Sequence, residues 1–174
     1  MGLSKKIKLG ILTSSRADFG IYLPLLKSLK IDNIFDLKLI VFGTHLSKLH
    51  GFTYNEITES GFKGSFLIDT VLKKDNEESI SLSFSKTTIK FSEFWKNNFK
   101  SFDYIFCLGD RYEMAAAVLP AIPFGIKFIH LHGGETSMGA IDNIYRDIIS
   151  LSSHIHFVSC EKFKFRLKKL LNRS

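Results

Sequence analysis

Short apolar runs recur along the sequence, and each is followed by a polar turn and a stretch with helical periodicity. The runs cover residues 6–13, 35–42, 65–68, 104–108, 127–131 and 155–158. The helical stretches cover residues 18–30, with Asp18 as the expected N-cap, and 53–60, 77–99, 112–119, 141–152 and 162–171. Strands that alternate with helices at this spacing form parallel βαβ units. The sequence therefore predicts an α/β fold with a parallel sheet of about six strands and helices on both faces.

Length and composition favour one domain without a membrane span. The 174 residues are 45% hydrophobic, which is ordinary for a globular domain that buries a core. No apolar run approaches the roughly 20 residues that a transmembrane helix needs, and the N-terminus lacks a signal-peptide cleavage site. We therefore expect a cytoplasmic protein with no membrane partner. Cys107 and Cys160 fall in or just after predicted strands, so they are expected to be buried free thiols.

The positive charge is concentrated in the last predicted helix and its end. The chain has a net charge of +7, and residues 161–174 contain six Lys or Arg and one Glu. No recognition motif or aromatic-basic pattern accompanies this basic tail, so no nucleic-acid partner is expected.

Carboxylates and glycines follow two of the predicted strands. Asp110 and Arg111 follow residues 104–108 after Gly109, and Gly133, Gly134 and Glu135 follow residues 127–131. Ligands bind beyond the carboxyl ends of parallel strands in open α/β sheets. Side chains from two adjacent strand ends can therefore converge on one ligand, and the stretch 103–146 is the predicted active site.

Several of these residues also have simpler interpretations. For Asp110, spacing alone favours a helix cap over a catalytic role, and Arg111 beside it would favour its ionised form. Asp142 and Arg146 are four residues apart, which also describes a surface ion pair. His130 and His132 share one face of a strand, but without a third ligand at a diagnostic spacing no metal site is predicted. The glycine pair is expected to let backbone approach a ligand closely.

The first turn, SSRADFG, could bind a nucleotide without the usual glycine-rich motifs. It lacks the GxGxxG pattern of dinucleotide binding, and the chain has no GxxxxGK[ST] loop. Arg16 lies just ahead of a helix N-terminus, where a fixed positive charge beside free backbone N–H groups suits phosphate. An Arg packed on the surface of a loop is the alternative.

Five motifs in one order carry a resemblance to a known family. SRADFG, GTHLS, GDRYEMAAA, HLHGGE and a helix with the pattern ID…R occur between residue 6 and about residue 157. Together they resemble the hydrolysing UDP-N-acetylglucosamine 2-epimerases of sialic-acid biosynthesis. Closely related enzymes act on UDP-diacetylbacillosamine.

The resemblance implies an architecture. The family has two Rossmann-like domains in a glycosyltransferase-B-like arrangement, with the nucleotide-sugar cleft between them. Residues 1–174 resemble the first domain only, and the second domain, which usually supplies much of the UDP grip and a catalytic His, has no counterpart here. A UDP-sugar is therefore the expected partner, with a homo-oligomer or a separate second domain as further partners. The chain alone is expected to be inactive without that domain.

The resemblance also implies a reaction and the residues for it. UDP is eliminated across C1–C2 to give a glycal, and water then adds to release N-acetylmannosamine. No nicotinamide fingerprint is present, which favours breaking the C1–O bond first, and no cofactor is expected. The matched residues are catalytic Asp110, Glu135, Asp142 and Arg146, and substrate-binding Arg16, Asp18, His45, Arg111, Gly133 and Gly134.

The chain departs from the family pattern in the last of these motifs. Asp147 follows Arg146 where the family commonly has His, and Ser150 and Leu151 stand where it has Thr and Lys. These differences bear on substrate choice. A UDP-diacetylbacillosamine 2-epimerase, a nucleotide-sugar binding fragment and half of a glycosyltransferase are the alternative functions.

Overall fold

A computed structural model of the chain describes residues 6–70, 76–138 and 141–172. Strands and helices alternate throughout the described residues. The strands are β1 (Ile7–Thr13), β2 (Phe35–Phe42), β3 (Gly64–Ile68), β4 (Tyr104–Leu108), β5 (Phe128–Leu131) and β6 (Ile155–Phe157). The helices are α1 (Arg16–Ile31), α2 (Tyr54–Glu59), α3 (Glu77–Asn98), α4 (Tyr112–Val118), α5 (Asp142–Leu151) and α6 (Glu161–Leu171).

The strands form one parallel sheet with the order β3-β2-β1-β4-β5-β6. From β1 the chain builds outward to β3, then returns to the middle and builds outward in the other direction from β4. The reversal leaves a crevice between the carboxyl ends of β1 and β4, which is where open α/β sheets bind ligands. The predicted sheet of six parallel strands is confirmed.

Helices cover both faces of the sheet, and each face has its own apolar core. On one face, α3, α4 and α5 pack their aromatic and small side chains against β1, β2, β4 and β5, with Trp95 fully buried among Phe91, Phe94 and Phe128. On the other face, α1 and α2 pack Phe19, Tyr22, Leu26 and Ile57 against the same sheet. The Ala-rich α4 has small side chains, which allow it to lie close to α3 and α5.

Two local predictions were wrong. Ser15, not Asp18, is the N-cap of α1, and Asp18 is the third helical residue of a capping box in which each residue bonds the other's backbone. Cys160 is exposed, whereas Cys107 is buried as predicted. The reason for the exposure is that β6 is an edge strand and Cys160 precedes α6 beyond it.

The described helices are all too short or too polar to cross a bilayer. The longest, α3, has 22 residues but turns polar side chains outward along its length.

Trp95 gives a test of the α3 core. Its indole N–H donates to the carbonyl oxygen of Ala117 over 2.8 Å, so Trp95→Ala removes buried apolar volume and leaves a buried acceptor unpaired. We expect the free energy of unfolding to fall by about 3–5 kcal/mol in urea denaturation. Ile89→Ala on the same helix is the matched control, because Ile89 is 69% exposed, and it should change stability by less than about 0.5 kcal/mol. Equal effects of the two substitutions would contradict the packing described here.

Candidate functional site

A cavity of about 340 Å³ lies at the crevice between the carboxyl ends of β1 and β4. Its walls come from the start of α1, the turn after β4, the turn after β5 and the start of α5. The charged side chains that line it are Asp18, Asp110, Arg111, Glu135, Asp142 and Arg146. Six of the ten predicted site residues are therefore brought together in one cavity.

Arg146 is a deeply buried charge of this cavity. It is 5% exposed, and its Nη2 donates to Asp110 of the turn after β4. The suggested N-cap role of Asp110 was wrong, because Arg111 occupies the N-cap position of α4. The suggested surface pair of Asp142 with Arg146 was also wrong, since Arg146 turns inward to Asp110 instead.

Asn143 also hydrogen-bonds Arg146 and is not among the residues predicted from sequence. Its Oδ1 accepts from Nη1 of Arg146 over 3.1 Å and from the backbone N–H of Ser137 over 2.9 Å. The same amide also donates to the carbonyl of Ser137. Within the described part of the chain, Nε of Arg146 is buried without a partner. For Asn143, the available signal in the sequence was its position one residue after Asp142, at the start of a helix.

Glu135 is held by two donors. Nδ1 of His132 donates to its Oε1 over 2.8 Å, and Oγ of Ser159 donates to the same oxygen over 2.7 Å. Partial burial raises the pKa of Glu135, but these two hydrogen bonds and the charges of His132 and Arg146 outweigh burial and bring the pKa below its usual value. Glu135 is therefore ionised at neutral pH.

His132 adopts a left-handed backbone conformation, with φ of 65°. Few non-glycine residues do so, and such positions concentrate at functional sites. This turn directs the chain from β5 toward Glu135.

His130 is fully buried and links the turn after β4 to α5. Its Nε2 donates to the carbonyl oxygen of Gly109 over 2.9 Å, and its Nδ1 accepts from Oγ of Ser150 over 3.1 Å. These contacts join the turn that carries Asp110 to the helix that carries Arg146. Burial, partly opposed by the bond to Gly109, lowers the pKa of His130 to about 4, so the ring is neutral near pH 7.

Both ring nitrogens of His130 are thus engaged by protein groups. The described residues include no group of three or more His, Cys, Asp or Glu side chains arranged to hold a metal ion.

Arg111 is paired with Glu113 rather than with Asp110. Its Nε and Nη2 donate to the two carboxylate oxygens of Glu113 over 3.2 Å and 2.8 Å. Glu113 is 1% exposed, while the Arg111 side chain is 44% exposed. Burial opposes the charge of Arg111, but the bonds to Glu113 outweigh it and raise its pKa. The Arg111 guanidinium therefore stays charged at the mouth of the cavity, beside the carboxylate of Glu113.

Asp18 lines the cavity, but its carboxylate mainly accepts hydrogen bonds from the turn that precedes α1. Its Oδ2 accepts from the backbone N–H groups of Ser14 and Ser15 over 3.0 Å and 3.1 Å, and from Oγ of Ser14 over 2.7 Å. These bonds fix the turn between β1 and α1, which forms one side of the crevice.

Arg16 and His45 do not line the cavity. Arg16 is largely exposed and pairs with Glu56 of α2 over 2.9 Å. His45 is fully buried, and its ring nitrogens contact the hydroxyl groups of Thr13 and Thr53 over 2.9 Å and 2.8 Å. Burial lowers the pKa of His45 despite the nearby charge of Asp18, and its visible role is to join the end of β1 to the start of α2.

Gly133 and Gly134 allow close approach, but to protein groups. A Cβ at Gly133 would lie 3.0 Å from Nδ1 of His130 and 3.1 Å from Oγ of Ser150. Gly134 has φ of 77°, and a Cβ there would lie 2.5 Å from the carbonyl oxygen of Phe163. The glycine pair therefore lets the turn after β5 pack on both α5 and α6.

Comparison with known proteins assigns the chain to a family. Residues 27–173 match the UDP-N-acetylglucosamine 2-epimerase family. The chain belongs to this family. The match spans most of the chain and includes the turns after β4 and β5, together with α5.

Three curated relatives are similar over nearly the whole chain. The hydrolysing UDP-N,N'-diacetylbacillosamine 2-epimerase of Legionella pneumophila is 37% identical over 94% of this chain and 42% of its own length. The hydrolysing GDP/UDP-N,N'-diacetylbacillosamine 2-epimerase of Campylobacter jejuni is 37% identical over 95% of this chain and 42% of its own length. The UDP-N-acetylglucosamine 2-epimerase of Neisseria meningitidis is 32% identical over 91% of this chain and 41% of its own length. The chain thus spans less than half the length of these relatives.

Solved structures agree on the fold. A UDP-N-acetylglucosamine 2-epimerase matches with a TM-score of 0.83 at 19% identity, over 98% of this chain and 46% of that one. The Neisseria meningitidis UDP-GlcNAc 2-epimerase bound to UDP-GlcNAc matches with a TM-score of 0.76 at 19% identity, over 94% of this chain and 43% of that one. The predicted fold is confirmed: the chain matches about half the length of these glycosyltransferase-B-like structures.

The buried His130 makes stability depend on pH. Its pKa is about 4 in the folded chain against a usual value of 6.5, so below about pH 6.5 the unfolded chain takes up a proton that the folded chain does not. Stability is therefore lost as the pH falls toward 4, and between pH 7 and pH 5 His130 accounts for roughly 2 kcal/mol of that loss.

His130→Gln keeps a donor for Gly109 but cannot titrate. We expect its free energy of unfolding, measured by urea denaturation, to fall less between pH 7 and pH 5 than that of the unaltered chain. His50→Gln, at an exposed position, serves as control and should retain the original pH dependence. A His130→Gln chain with an unchanged pH dependence would show that the buried ring does not titrate as described.

Proposed function

We propose that this chain is the nucleotide-sugar-facing half of a hydrolysing UDP-sugar 2-epimerase. The observation that carries the proposal is the convergence of Asp110, Glu135, Asp142 and Arg146 on one cavity in a chain of this family. The first three supply negative charge, and Arg146 with Arg111 supplies positive charge at the same cavity.

The reaction begins with cleavage of the bond between C1 of the sugar and the diphosphate oxygen. UDP leaves with the electron pair of that bond, and positive charge develops at C1. Loss of the C2 proton then gives a C1–C2 double bond. Water adds its hydroxyl group to C1 and a proton to the opposite face of C2, so UDP and the 2-epimer of the free sugar are released.

Carboxylates suit this chemistry because the developing charge at C1 is positive. Fixed negative groups that are already in place stabilise such a transition state without reorganisation. Glu135 is ionised because its pKa is lowered, so it is suited to accept the C2 proton rather than to donate one. Asp110 is held against Arg146, which orients its carboxylate toward the cavity. Arg111, which lines the cavity, is suited to the diphosphate.

The relatives favour a diacetamido sugar over N-acetylglucosamine. The two named for UDP-N,N'-diacetylbacillosamine are 37% identical to this chain, and the one named for UDP-N-acetylglucosamine is 32% identical. We therefore propose a UDP-diacetamido sugar as substrate, with UDP-N-acetylglucosamine as the alternative.

The residues that line the cavity all come from this one domain, which covers 42% of the Legionella relative. We propose that a second domain forms the other wall and closes over the ligand, excluding water and completing the catalytic set. Without it the ligand stays solvated, and each charge interaction weakens several-fold.

The catalytic roles can be tested in a fusion of this chain to the second half of the Legionella relative. Asp110→Asn and Glu135→Gln should each lower kcat by about 100-fold or more while weakening UDP binding only modestly, because both charges act on the transition state. Glu59→Gln, a similar change at an exposed position on α2, is the control and should leave kcat unchanged. Normal kcat in both site variants would refute the assigned roles.

The isolated chain should show little or no turnover of either UDP-sugar. UDP release is the measurement, and addition of a separately expressed second half should restore it. Turnover by the isolated chain at the rate of a two-domain relative would refute the need for a second wall. UDP release that requires an added acceptor sugar would instead indicate a glycosyltransferase half, and binding that never leads to turnover would indicate a binding fragment.

A further inference from the structure

A second cavity, of about 530 Å³, adjoins the candidate site. It lies between the start of α3, the start of α4 and the start of α5. The side chains that form its walls include Ile80, Ser81, Phe84, Tyr112, Asp142 and Tyr145. Apart from acidic groups at its rim, the lining is aliphatic, aromatic or hydroxylic, in contrast to the charged lining of the site itself.

The aromatic wall of this cavity is built from rings that support one another. Phe84 and Tyr145 are stacked with ring centroids 6.1 Å apart, and Tyr112 and Tyr145 lie 6.5 Å apart at 58°. Phe84 and Tyr145 also pack against the core beneath α3. Rings fixed in this way offer a preformed apolar surface rather than a collapsed one.

The two cavities are neighbours at the start of α5. Asp142 lines both of them, and Tyr112 in the second follows Arg111 in the first. A sugar at the carboxylates of the first cavity would therefore lie beside the second cavity. Substituents on the side of the sugar that faces the second cavity would then meet its aromatic wall.

We propose that this second cavity is a specificity pocket for the substituents that distinguish a diacetamido trideoxy sugar from N-acetylglucosamine. The proposal rests on the function proposed above. The first sugar has an acetamido group at C4 and a methyl group at C6, where the second has hydroxyl groups. Methyl groups gain by leaving water for an aromatic wall. A hydroxyl group placed against the aromatic wall loses water without an equivalent apolar gain.

The pocket can be filled without disturbing the core. Ser81 is exposed on the surface of α3 at the edge of the cavity, so Ser81→Trp adds bulk where the acetamido group would lie. A hydroxyl group is much smaller and should still be accommodated. Ser92→Trp is the matched control, because Ser92 is also exposed on α3, about three helical turns away and outside the cavity.

The measurement is binding of the two UDP-sugars to the chain itself, by ligand-observed NMR at millimolar concentrations. Ser81→Trp should weaken binding of UDP-N,N'-diacetylbacillosamine by about tenfold and that of UDP-N-acetylglucosamine by less than about twofold. Ser92→Trp should change neither, and circular dichroism of both variants checks that they are folded.

Equal losses for the two sugars, or no loss for either, would overturn the specificity pocket. If the fusion protein still turned over a UDP-sugar in that case, the proposed function would stand and only the pocket would fail. If the unaltered chain bound neither sugar and the fusion protein released no UDP, both proposals would fall together.

Discussion

The burial of the Arg146 guanidinium is the interaction on which the arrangement of the site depends. A buried charge is tolerated only when it is paired and hydrogen-bonded, and here the partners come from Asp110 after β4 and Asn143 of α5. Because Arg146 belongs to α5 and Asp110 follows β4, this pairing places the start of α5 beside the end of β4. His130 reinforces the same junction from within the core, because it bonds both the β4 turn and α5. The carboxylates of the cavity are therefore positioned by a requirement of folding.

The sheet could be predicted from sequence because its signals are local. Each buried strand is a run of apolar residues, and each crossover helix has its own period, so β2 and β4 were predicted with the bounds that the structure gives them. The position of the site followed from the same pattern, since strand ends in a parallel sheet share one edge. The cap of α1 was missed because Ser15 and Asp18 are both good caps, and only the backbone conformation distinguishes them.

The pairing within the site could not be read from the sequence, because it joins residues that are far apart along the chain. Asp110 and Arg146 are separated by 36 residues, while closer partners such as Arg111 and Asp142 offered plausible pairs. Burial decides between them: Glu113 is buried and takes Arg111, which leaves Asp110 to Arg146. Likewise His45 and Gly133 stand in motifs that suggest ligand contact, but their visible contacts are with Thr13, Thr53 and His130.

The division between a charged cavity and an apolar one has a consequence for recognition. In the proposed reaction, the arginines and carboxylates act on the diphosphate and the anomeric carbon, which every UDP-sugar carries, so they supply rate but little discrimination. Discrimination must then come from the part of the site that meets the variable substituents. In this chain the charged cavity borders the wall of Phe84, Tyr112 and Tyr145. Because α5 contributes to both cavities, we expect a change there to affect both the rate and the specificity of the proposed reaction, whereas a change at the start of α3 is expected to affect specificity alone.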